Sequence, residues 1–150
     1  MLTITLYIDE LLHDIYTKSH IECQAIADAE ERFRTEAGTE KKDELVRQLI
    51  SVQASLRRLL HRYLSDSDTS ADNSLGAPES FQFDMNVTER QAVGKAQPMA
   101  DNCHSYMVAY TLARYYGSVG AKELSNTYSL ITNTYAQEIE ELLYAKRPPL

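Results

Sequence analysis

At 150 residues, with 43% apolar and 25% charged side chains, the chain has the size and composition of one globular domain spanning residues 1–150. Such a domain buries about two thirds of its unfolded surface, which makes a disulfide or metal staple unnecessary and excludes wholesale disorder. A formal charge of −7 works against non-specific adhesion to nucleic acid or to an anionic membrane.

The first residues, MLTITLYIDELLHD, lack the basic start of a secretory signal, and no apolar run reaches the 18 or so residues of a membrane span. A cytoplasmic chain is the expectation, with Cys23 and Cys103 as reduced, semi-buried small hydrophobes; a disulfide between them stays open at this point. Residues 2–8 alternate in a strand-like way, but Ile8, Leu11, Leu12 and Ile15 follow helical spacing, which predicts a helix over about Thr5 to Thr17. Ser19-His20-Ile21-Glu22 matches a capping box, so a second helix is expected over about 20–36, either separate from the first or continuous with it through a kink.

Gly38 and Thr39 mark a break, with Thr39 as candidate N-cap. The next predicted helix, about Glu40 to Leu64, has the clearest stripe: Leu45, Leu49, Val52, Leu56, Leu59, Leu60 and Tyr63. Residues 65–80 are small, polar and acidic without any period and predict a mobile polar loop. Phe81 to Val87 then alternates apolar and polar, the pattern of a half-buried strand. A lone strand is unstable, so its partner is residues 2–6, a turn of the polar loop, or the same strand in another subunit. Thr88 to Gln91 is a second capping-box match, and Pro98 suits the first turn of a long helix that Gly117 and Gly120 end. The last helix, about Ala121 to Lys146, carries Leu124, Tyr128, Ile131, Tyr135, Ile139 and Leu142 on one stripe. A four-residue connection predicts an antiparallel hairpin of these two helices.

The helix from Pro98 to Gly117 is apolar on two faces. At about 100° per residue, Met99, Cys103, Tyr106, Tyr110 and Ala113 fall within roughly 80° of arc, and Val108, Leu112 and Tyr115 point the other way. Its second face must be covered by residues 5–36 or by another molecule. Tyr106, Tyr110, Tyr128 and Tyr135 read as core packing, and Tyr115 and Tyr116 as interface candidates beside the first stripe.

Three patterns resemble sites and have simpler readings. Glu10-x-x-His13 and Asp101-x-x-His104 have the spacing of metal clamps, but Glu10 and His13 face away from the core and no matching inward Glu pair exists elsewhere. Asp66-x-Asp68-x-Ser70-x-Asp72 echoes a calcium loop, yet Ala71 and Ala77 stand where Gly and a bidentate Glu are required. Arg47, Arg57, Arg58 and His61 cluster opposite the leucine stripe, and residues 37–62 hold six basic against three acidic residues. Without interleaved aromatics this face reads as a solvated one complementing the helix dipole, or as a contact for an acidic surface, rather than as a nucleic-acid site. Residues 1–36 and 63–90 each carry net −5 and can supply that acidic surface in another subunit. No nucleophile elbow or phosphate-binding glycine loop is present, so a non-enzyme without cofactor or metal is expected.

In order, the chain offers Tyr63-Leu64, a polar Ala71-Asp72-Asn73 loop, the strand-like 81–87, Ser105-Tyr106-Met107-Val108-Ala109-Tyr110 with Ala113-Arg114-Tyr115-Tyr116, and the ending Tyr144-Ala145-Lys146-Arg147-Pro148. This order resembles short, mostly helical proteins of tailed-phage and prophage structural modules, including head-tail connector or adaptor proteins. The resemblance implies a helical bundle that assembles into rings between portal and tail, does no chemistry, and sits in the virion as a homo-oligomer beside other virion proteins.

The expected fold is therefore all-α: a four- to five-helix bundle with a small β element at 81–87 and a polar loop at 65–80. The expected role is self-association and protein contact through Val108, Leu112, Tyr115, Tyr116, Phe81, Phe83, Arg57 and Arg58. The alternative is a cytosolic regulatory or nucleic-acid-binding helical module that uses the basic face of residues 47–62.

Overall fold

The structure is a computed structural model that describes residues 2–65, 79–87 and 94–144. Two strands, β1 (Leu2–Tyr7) and β2 (Ser80–Met85), accompany helices α1 (Ile8–Cys23), α2 (Ala29–Thr35), α3 (Lys42–Leu60), α4 (Ala96–Ser118) and α5 (Lys122–Tyr144), with a short 3-10 turn at Thr39–Lys41. The mostly helical architecture with a small β element is thus as expected. The calcium-loop echo and the Thr88 capping box lie outside the described residues.

The sheet settles the first ambiguity. β1 pairs antiparallel with β2 in a register that sets Leu2 against Met85, Ile4 against Phe83 and Leu6 against Phe81, while Thr3, Thr5 and Tyr7 oppose Asp84, Gln82 and Ser80. Both strands alternate with period two, and this register puts all six apolar partners on one face. Ile4, Leu6, Phe81, Phe83 and Met85 are buried there, and Tyr7 on the other face is exposed. The predicted helix start at Thr5 is corrected accordingly: pairing with β2 claims residues 2–7, and α1 starts at Ile8, whose N–H donates to Glu79 O at 3.0 Å.

The second predicted helix is also corrected. Ser19 begins nothing; it lies inside α1, fully buried, and its Oγ accepts from the backbone N–H of Ala37 and from the Tyr116 hydroxyl, both at 2.8 Å. Only Ala29–Thr35 forms the separate α2, capped by Asp28, whose side chain accepts from Glu30 N. Thr39 opens the 3-10 turn rather than capping a helix, and α3 starts at Lys42.

No side chain of α2 is buried, so apolar packing cannot hold it. Lys41 does instead: its Nζ donates to the carbonyls of Phe33 and Arg34 at 2.9 Å and of Glu36 at 2.7 Å, the orphan acceptors at the end of that helix. The same ammonium sits 5.1 Å from the ring centroid of Tyr115, and burial lowers its pKa.

The α4–α5 turn is a complete Schellman motif. Ala121 N–H donates to Tyr116 O and Gly120 N–H to Gly117 O, with Gly120 at φ +82°, a left-handed conformation that glycine adopts without strain. The two helices then run antiparallel in close contact, where a Cβ on Gly117 would stand 3.3 Å from Ser125 Oγ. α3, α1 and β1 pack on the remaining sides of α4.

Two substitutions test this packing in opposite directions. Ser19→Ala orphans two buried donors and is expected to lower unfolding free energy by about 3 kcal/mol in urea melts. Thr111 is fully buried and its Oγ1 has no partner among the described residues, so Thr111→Val is expected to raise stability by about 1 kcal/mol. Lys41→Ala is expected to speed amide exchange across Ala29–Thr35 at least tenfold, with the α4 and α5 amides unchanged.

Candidate functional site

The residues expected at an interface are mostly interior. Val108 is 1% exposed and Leu112, Tyr115, Tyr116 and Phe83 are 0%, with Phe81 at 4%. The interface assignment of these six is corrected, because the chain covers its own second face. Tyr115 reaches the end of α2, its hydroxyl 3.2 Å from Glu36 O and 3.4 Å from Arg34 O, and Tyr116 reaches Ser19 of α1. Tyr116 also packs on Tyr128 of α5 with ring centroids 5.7 Å apart, and Tyr128 OH donates to Glu22 at 3.2 Å. Of two coverings left open by the periodicity, the N-terminal helices provide the one observed.

Burial raises the hydroxyl pKa of Tyr115, Tyr116 and Tyr128 above the ordinary tyrosine value; for Tyr115 and Tyr128 nearby carboxylates add to the rise, and for Tyr116 the Ser19 hydrogen bond opposes it. Tyr106 is pushed up to about 12 by burial and then by Tyr110, with Arg58 opposing. The thiols behave alike: both are unpaired and buried, and burial pushes Cys103 up to about 12. These are groups held neutral by an apolar interior, a state that suits packing.

The histidine pairs part company. Glu10 and His13 are exposed on the outer side of α1, whereas His104 Nε2 donates to Asp14 Oδ2 at 2.6 Å and ties α4 to α1. Asp101 accepts instead from Gln97 at 2.8 Å. His20 Nδ1 donates to Glu36 at 2.9 Å while Gln24 donates to its Nε2.

The basic face divides in two. Arg57 lies over the sheet, its guanidinium carbon 4.7 Å from the Phe83 centroid and its NH2 donating to Gln82 O at 2.9 Å. Arg47 and Arg58 remain on the exposed side of α3. α4 adds what the sequence of α3 lacks. Arg114 donates to Ser51 Oγ at 2.8 Å and lies 6.0 Å from the Tyr110 centroid, and Tyr110 meets Tyr106 edge-on at 5.8 Å.

The result is a strip along the α3–α4 seam carrying Arg47, Arg58 and Arg114, with Tyr110 beside it. Among the described residues, none of these three arginines has a carboxylate within ion-pair distance. The chain holds no acidic residue between Glu44 and Asp66 or between Asp101 and Glu123, so beyond the first turns of the two helices their formal charge along this seam is positive. Arg114 and Tyr110 were missed because their relevance depends on α3 and α4 being adjacent; the absence of acids over residues 102–122 was the readable signal.

Among the described residues, two open grooves lie beside α4 and α5. One, of about 430 Å³, lies between α2 and the α4–α5 turn, with Ile26, Val119 and Leu124 beside Glu31, Arg34, Lys122 and Glu123. The other, of about 280 Å³, runs between α4 and α5 past Arg114, Gly117, Ser125 and Ser129. Compared with protein-family models, curated proteins and solved structures, the chain matches none.

The interior groups set an alkaline limit. The unfolded chain releases its tyrosine protons near pH 10 while the folded chain retains them, so the unfolded state binds fewer protons there and stability falls with rising pH. The stability contribution is complete below about pH 10 and is expected to be lost as pH rises past it toward about 12 and beyond, read as a falling urea midpoint alongside tyrosinate absorbance. Over the same native range both cysteines are expected to resist a thiol reagent that labels them fully in urea.

Proposed function

We propose that this chain is a non-enzymatic assembly protein that acts through contacts with copies of itself and with other proteins, as a head-tail connector-like component of a phage or prophage particle. The observation that carries this reading is where the polar groups sit. Ser19, Lys41, Tyr115, Tyr116, His104 and Asp14 all hold one helix to another, so the interior polar chemistry serves the fold. Among the described residues, charge with no opposite charge within ion-pair distance lies on outer faces, as on the α3–α4 strip, where it is available to another macromolecule. The order of features that resembles phage structural-module proteins supports the particle context.

Because the large apolar side chains of α4 are already covered, association is expected to be electrostatic. Light scattering at rising concentration should show mass increasing above 17.0 kDa at about 0.05 M salt and returning to it at about 0.5 M salt. A mass fixed at one chain under all conditions removes self-association from the reading.

A further inference from the structure

The strip has a counterpart of opposite charge on the same molecule. Near the end of α5, Glu138, Glu140 and Glu141 are exposed, and among the described residues none has an ion-pair or hydrogen-bond partner. Their position is electrostatically poor, because the C-terminal end of a helix carries partial negative charge. Lys95 donates to Leu142 O and Tyr63 to Leu143 O there, which satisfies backbone carbonyls and leaves the three side-chain carboxylates unmatched. Of the eight carboxylates in residues 1–36, four are committed, Asp14 to His104, Glu36 to His20, Glu22 to Tyr128 and Asp28 to the start of α2, and Asp9, Glu10, Glu30 and Glu31 are divided between the first turns of α1 and α2, where a helix favours them.

We infer that the α3–α4 strip of one copy docks on the acidic outer edge of α5 of a second copy. The inference rests on the assembly reading above and names the two surfaces. Within one chain α4 packs against both α3 and α5, and among the described residues no arginine of the strip forms an ion pair with Glu138, Glu140 or Glu141. Among the described residues, a copy therefore presents at once a cationic face and an anionic edge with no ion pair to either, and a second copy supplies the opposite charge to each. Contacts between two different faces repeat head to tail, so the mass grows beyond a dimer. Arg47 and Arg58 are about 16 Å apart along α3 and Glu138 and Glu141 about 4.5 Å apart along α5, so the carboxylates meet one part of the strip rather than its whole length. A net charge of −7 repels nucleic acid at long range, whereas it is compatible with a local carboxylate contact.

Charge exchange tests the pairing. Arg47→Glu with Arg58→Glu, and separately Glu138→Lys with Glu141→Lys, should each weaken self-association at least tenfold by light scattering, and the two variants mixed should associate again. All four side chains are exposed, and circular dichroism with urea melts verifies folding; Arg114→Gln alone should weaken association without reversing charge. Undiminished association in either double variant, or no recovery on mixing, overturns the pairing while leaving the assembly reading standing. A wild-type chain that never exceeds one copy overturns both. A labelled DNA duplex that binds wild type but not the arginine variant, while the protein stays monomeric, reassigns the strip to nucleic acid and overturns the inference.

Discussion

The constraint from which the rest of this structure follows is that α4 cannot be left with a free side. Eleven of its residues are buried, from Met99 to Tyr116, and they point in every direction around the axis. Each large apolar side chain contributes about 1.5–3 kcal/mol when removed from water, so no arrangement that exposes one face competes with one that covers all of them. An antiparallel partner, α5, covers one side by way of a tight glycine turn. The leucine stripe of α3 covers another, and α1 with the sheet closes the third.

Covering α4 with these particular helices creates a polar problem that the tyrosines and Ser19 resolve. Tyr115 and Tyr116 are adjacent in sequence, so they diverge by about 100° and enter two different neighbours. Each brings a hydroxyl into a dry region, and a buried hydroxyl without a partner costs on the order of 1–3 kcal/mol. Tyr116 finds Ser19, which also accepts from the Ala37 amide, and Tyr115 finds the carbonyls at the end of α2. The loop between α1 and α3 is thereby fixed by acceptors and donors, with the buried Ala37 and the half-buried Ile26 as its apolar contacts to the core. That accounts for an α2 that keeps no side chain buried.

Periodicity carried most of the architecture. The stripes on α3 and α5, the alternation of β2 and the two-faced nature of α4 are properties of single segments, and each is visible in local spacing. Failures occurred where a second segment decides. Residues 2–7 satisfy a strand or a helix equally until β2 offers a matching apolar register, and Ser19 looks like a cap until Tyr116 and Ala37 are seen to need an acceptor. Tyr115 and Tyr116 read as interface candidates because a stripe defined on one helix does not show which neighbours cover the other faces. The arginine cluster was legible on α3; its extension by Arg114 and Tyr110 was not, since it arises from the pairing of two helices.

Enclosing the apolar faces of α4 also decides what kind of contact the outer surface can make. Among the described residues, the large apolar side chains left exposed, Tyr7, Ile21, Phe33, Val119 and Leu130, are spread over several elements. Isolated residues of that kind are normal on any protein surface and do not assemble a hydrophobic interface. Charge, in contrast, is sorted: acid-free stretches of α3 and α4 lie side by side, and the end of α5 gathers carboxylates. Opposed charges on separate faces produce attraction that is long-ranged at low salt, weak per contact and strongly dependent on orientation. Enclosure of one helix sets the fold of such a chain, whereas the proposed contacts with partners would be electrostatic, so the two tasks would draw on almost entirely different residues.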